Sequence, residues 1–184
     1  MTAKQYRLAA AAAIAGGVAW AVSGPLQLAG LNEHETTVET VGEHVIISLF
    51  SVTLILTAIG VQALARHADS NTGAKVASTG MVVLAALATS SNIAGEDLVF
   101  FPAVAVATNL MWLGGSIHLA RSLYRTGNVS KQLAIALPFA QVFALPLAAV
   151  GGGLIAGAYW VTVGYLMHAG ALERRAGNVV PATA

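Results

Sequence analysis

QLAIALPFAQVFALPLAAVGGGLIAGAYWVTVGYLMHAGAL, residues 132–172, runs without a single Asp, Glu, Lys or Arg. A helix needs about 20 apolar residues to cross the hydrocarbon core of a bilayer, so this stretch is too long for one crossing. Gly151-Gly152-Gly153 near its middle offers the backbone freedom of a tight turn. The stretch therefore divides into two spans, 132–150 and 153–172.

Upstream, four more apolar runs read as spans at 8–29, 42–65, 75–95 and 101–121. The nine Lys and Arg residues fall between them in four clusters: Lys4 and Arg7, Arg66 and Lys75, Arg121 through Lys131, and Arg174 with Arg175. Basic residues are retained in cytoplasmic loops, so the clusters mark one side of the membrane and the chain leaves and re-enters it three times. The expected architecture is all-α: a polytopic bundle of six transmembrane helices in the cell membrane, with both termini cytoplasmic. It forms one domain over 1–175, followed by a flexible cytoplasmic tail at 176–184. Lys4 and Arg7 ahead of an alanine-rich run ending in Ala19-Trp20-Ala21 also fit a secretory signal, whose cleavage would leave five spans. The run continues past Pro25 to Gly30, so a retained first helix is expected.

Composition agrees with this reading. Of 184 residues, 57% are hydrophobic and 9% charged, too few polar groups to cover a soluble domain. Nothing supports nucleic-acid binding. The absence of cysteine excludes a disulfide framework, a thiolate metal site and a cysteine nucleophile. Small residues at Gly153 and Gly157, and at Ala11, Ala15 and Ala19, suit close helix packing. Pro102 opens span four, whereas Pro138 and Pro146 interrupt span five, as in a kinked or broken helix.

No Lys, Arg, Asp or Glu occupies the centre of a span, which argues against a proton-driven pump, a voltage sensor or a retinal Schiff base. Six of the eight acids, Glu33, Glu35, Glu39, Glu43, Glu96 and Asp97, lie opposite the basic clusters. If the segment before span two is helical, Glu35, Glu39 and Glu43 form one stripe, and His44, Ser48 and Ser51 descend from it into the membrane. Asn109, Trp112 and Ser116 share a face of span four, and Ser90, Ser91 and Asn92 end span three beside Glu96 and Asp97. These groups outline a polar pocket in the outer half of the bundle. His67, His118 and His168 read as interfacial, and His118 with His168 is the sole pair placed to hold a haem. A divalent-metal site from His34, Glu39, Glu43 and His44, with Glu35 beside them, matches no ligand signature and is a side hypothesis; otherwise no cofactor is expected.

Three functions follow. The first is an intramembrane acid/base enzyme, an isomerase or cyclase acting on a lipophilic small molecule. Glu43 or Glu96 would be the acid, with His44 or Asp97 as partner; Asn109, Trp112, Ser48, Ser51 and Asn92 would bind substrate. With acids on the second and third helices and Asn109-x-x-Trp112 on the fourth, the order of elements resembles the sterol-isomerase family of emopamil-binding proteins. The charged residues of the second helix depart from that family's spacing. The second function is transport, because the size, six spans and alanine-spaced first helix resemble the membrane-embedded binding subunits of energy-coupling-factor vitamin transporters. That likeness implies substrate capture, although no substrate motif accompanies it. The third is an accessory subunit of a larger membrane complex, with a homo-oligomer or partner membrane subunits. The lipid bilayer is a partner in all three.

Overall fold

A computed structural model describes residues 2–28, 37–38, 40–144, 147 and 150–172. Its helices are α1 (Ala3–Leu28), α2 (Val41–Leu64), α3 (Thr72–Ala94), α4 (Phe101–Thr126), α5 (Lys131–Ala144) and α6 (Gly152–His168), with a 3-10 turn (Ala65–His67) after α2. The first four are long and apolar enough to cross a membrane. Over their described residues, 14 in α5 and 17 in α6, the last two reach about 21 and 26 Å.

Local chemistry sets the ends. Thr40 is extended and caps α2 through a capping box: Thr40 Oγ1 accepts from Glu43 N at 3.2 Å, and Glu43 Oε2 accepts from Thr40 N at 2.8 Å. Helical register begins after Thr40, and Thr37 before it pairs antiparallel with Glu96; Glu35 and Glu39 of the expected stripe lie outside the described residues. Pro102 sits in the first turn of α4, where its missing N–H costs little. Of span five, expected to reach 150, α5 covers Lys131–Ala144 and Leu147 lies in a turn; residues 145, 146, 148 and 149 lie outside the described residues. Gly151 follows at φ 84°, a left-handed conformation natural to glycine, and opens α6. The expected tail at 176–184 lies outside the described residues, as do Arg174 and Arg175.

Each helix packs on its neighbours in the chain, and α6 returns to α1, so the six close a ring. Where apolar surface is offered to apolar surroundings on both sides, close backbone approach replaces the hydrophobic effect as the force between helices. The α1–α6 seam is built this way: a Cβ on Gly157 would lie 2.5 Å from Gly17 O and 2.8 Å from Ala21 N. Gly153 meets Trp20 O and Gly24, and Gly164 meets Ala10 and Ile14. The alanine row expected at Ala11, Ala15 and Ala19 is not this seam, since Ala11 and Ala15 are exposed. In so uniform an alanine run, no side of the helix is marked by polarity, and its packing face is set by the glycines of α6.

Three tryptophans fill the interior. Trp20 stacks on Trp112 with centroids 6.3 Å apart, meets Phe50 edge-on at 5.9 Å, and donates its indole N–H to Thr57 Oγ1 at 3.3 Å. Trp160 is buried among the same core residues. Outside the ring every helix exposes large apolar side chains, among them Val18, Ile55, Val82, Leu110, Phe139 and Ile155. A face so apolar on all sides suits lipid. The protein is thus an all-helical bundle whose long apolar helices fit a membrane setting.

Candidate functional site

The polar residues at the acid-bearing end form two clusters. Between α2 and α3, Asn92 Nδ2 donates to Ser48 Oγ at 3.0 Å and to the carbonyl of His44 at 3.3 Å. Those two acceptors fix the amide orientation, so Asn92 Oδ1 is the atom 2.7 Å from His44 Nδ1. An amide oxygen only accepts, and Nδ1 must therefore carry the proton; Nε2 is left to accept or donate elsewhere. His44 and Ser48 lie one turn apart on α2, and Asn92 of α3 meets both. Ser51, one turn deeper, is buried and donates to Ile47 O at 3.0 Å.

Between α4 and α5 lies the second cluster. Asn109 Nδ2 donates to Ala105 O at 2.8 Å, and Gln141 Nε2 reaches across to Asn109 O at 3.0 Å. Both nitrogens face carbonyl oxygens, so turning either amide over would oppose oxygen to oxygen. The outward atoms are consequently the side-chain oxygens. Asn109 Oδ1 and Gln141 Oε1 are both enclosed without a hydrogen-bond partner, and Gln141 as a whole is only 6% exposed. Ser91 Oγ on α3 and Ser116 Oγ on α4 are buried and unpartnered too. An unsatisfied buried acceptor costs about 1–3 kcal/mol, so these four among the described residues require a reason. Trp112 shares its face of α4 with Asn109 and Ser116, and stacks on Trp20.

The expected acids are placed at helix ends. Glu43 is tied into the cap of α2, while Glu96 and Asp97 are exposed on the turn between α3 and α4. Among the described residues no three His, Asp or Glu side chains group as a metal would need. His34, Glu35 and Glu39 lie outside those residues. His118 and His168 are exposed on different helices. His67 departs from its interfacial reading: it is 5% exposed, and its Nε2 lies 2.9 Å from the Tyr6 hydroxyl. Around it, Thr126 Oγ1 and Asn128 Nδ2 donate to His67 O at 2.8 and 3.1 Å, and Asp69 hydrogen-bonds Ser122. The basic end is a tied network joining α1, α4 and the loop after α2.

Gln141 is the residue that spacing arguments pass over. Its signal is the one that singles out Asn109, an amide within an apolar span that must find a partner. No protein-family model matches the chain, and no curated protein or solved structure shows significant similarity to it.

Proposed function

We propose that this protein is a six-span protein of the cell membrane, with both termini and the basic clusters cytoplasmic, that binds a small lipophilic molecule in its outer half. In this role it is a transporter or the substrate-binding membrane subunit of one. The observation that carries the reading is the pair of enclosed acceptors, Asn109 Oδ1 and Gln141 Oε1, on facing helices with both amide nitrogens already engaged. Ligand sites are mostly apolar enclosures with a few polar atoms that fix orientation, and Trp112, buried and one turn along α4 from Asn109, would supply an apolar wall. Native mass spectrometry of the protein extracted from its own membrane tests the reading. A co-purifying small molecule, lost from Gln141→Met, supports it; identical spectra for both proteins reject it.

A second reading, acid/base catalysis as an isomerase or cyclase, draws support from His44 rather than from a carboxylate. Asn92 holds the Nδ1 tautomer and frees Nε2 for proton transfer, as an orienting group does for a catalytic imidazole. Incubation with a membrane lipid extract separates the readings. Conversion of a lipid that survives Glu43→Gln and disappears in His44→Ala favours catalysis; conversion unaffected by His44→Ala removes it.

A further inference from the structure

Resting on the binding role proposed above, the same oxygens also constrain the chemistry of the ligand. Hydroxyls in these helices commonly return their proton to a carbonyl one turn back: Ser51 to Ile47, Thr53 to Leu49, Thr108 to Val104. Ser116, 1% exposed and on the same face of α4 as Asn109, does not. The site therefore presents two amide oxygens that accept no hydrogen bond, each on an amide whose nitrogen already donates to a carbonyl, with a hydroxyl two turns along α4.

A ligand whose polar atoms only accept, such as a ketone, quinone or ester, would leave both amide oxygens unpaired. A cation is no better matched. Helices α1, α3, α4, α5 and α6 contain no Asp or Glu, and Glu43 in the first turn of α2 serves the cap. An unpaired charge in such an interior is strongly disfavoured. An anion lacks a counter-charge at this level too, because Lys75, Arg121, Arg125 and Lys131 gather at the opposite end of the bundle.

We infer that the site takes an uncharged lipophile whose head group donates hydrogen bonds, of the alcohol or phenol class. One hydroxyl supplies the proton that Asn109 Oδ1 or Gln141 Oε1 requires, and its hydrocarbon part lies along Trp112. The class is distinguished from its neighbours by the donor alone. Removing that donor while keeping the skeleton leaves the amide oxygens unpaired and forfeits about tenfold or more in affinity.

The test uses the whole chain in phosphatidylcholine nanodiscs, with tryptophan fluorescence and thermal stability as readouts. 4-Octylphenol, its methyl ether 4-octylanisole, and octylamine are titrated in parallel. The expected result is saturable binding of the phenol, with the ether and the amine at least about tenfold weaker, and loss of the phenol's advantage in Gln141→Met. Asn109→Leu serves as the second variant should Gln141→Met not fold. If the ether or the amine equals the phenol while the variants still weaken binding, the donor class is overturned and the site stands. If no probe saturates, and neither variant changes any readout, the binding role itself fails.

Discussion

Two seams of the ring are built on opposite principles. Between α1 and α6, glycines at 17, 24, 153, 157 and 164 let backbones touch, and no polar side chain is needed to join them. Between α4 and α5, the contact runs through amides and a proline-bearing short helix, and two acceptors are left unsatisfied. A seam built of backbone contacts has one arrangement and tolerates no insertion. One that carries unpaired acceptors sacrifices stability and gains a place for a donor. Natural proteins make that exchange at functional sites.

The largest expected effect breaks the tight seam. Gly157→Val places side-chain carbons against Gly17 O and Ala21, and is expected to cost about 3 kcal/mol or more, read as loss of folded protein in thermal unfolding. At the basic end, His67→Ala removes the ring bonded to Tyr6 and leaves a void; about 2 kcal/mol of destabilisation is expected in the same assay. Asn92→Leu sharpens the contrast between amides. Because Asn92 satisfies His44 and Ser48, its loss is expected to destabilise by about 1 kcal/mol. Thr40→Ala, which removes the cap of α2, is expected to cost about 1 kcal/mol, seen as fraying of the first turn in hydrogen exchange.

How much of this was legible follows from where each signal resides. Apolar runs and basic clusters are local, so the six helices could be drawn from the chain alone. The alignment of His44 over Ser48 was legible as one turn of spacing, whereas Asn92 meets them from 48 and 44 residues away and only in the fold. Glu35 and Glu39 of the expected stripe lie outside the described residues, and Thr40 ahead of Glu43 is extended, a choice that one capping threonine decides. His67 was misplaced because its partner Tyr6 is 61 residues away, and only the folded ring brings them together. Gln141 was passed over because charge directed the search; an uncharged amide flanked by apolar residues is a quieter mark of the same kind.

The central claim is that the α4–α5 amides exist to meet a ligand rather than to hold the helices together. The most direct measurement is the unfolding stability of ligand-free Gln141→Met against wild type in detergent micelles. Deleting an orphaned acceptor with little change in volume is expected to raise stability by about 1 kcal/mol, since the oxygen's desolvation cost outweighs the single bond from Nε2 to Asn109 O. A fall in stability of similar size would mean that Gln141 is structural glue between the helices, and would contradict the account.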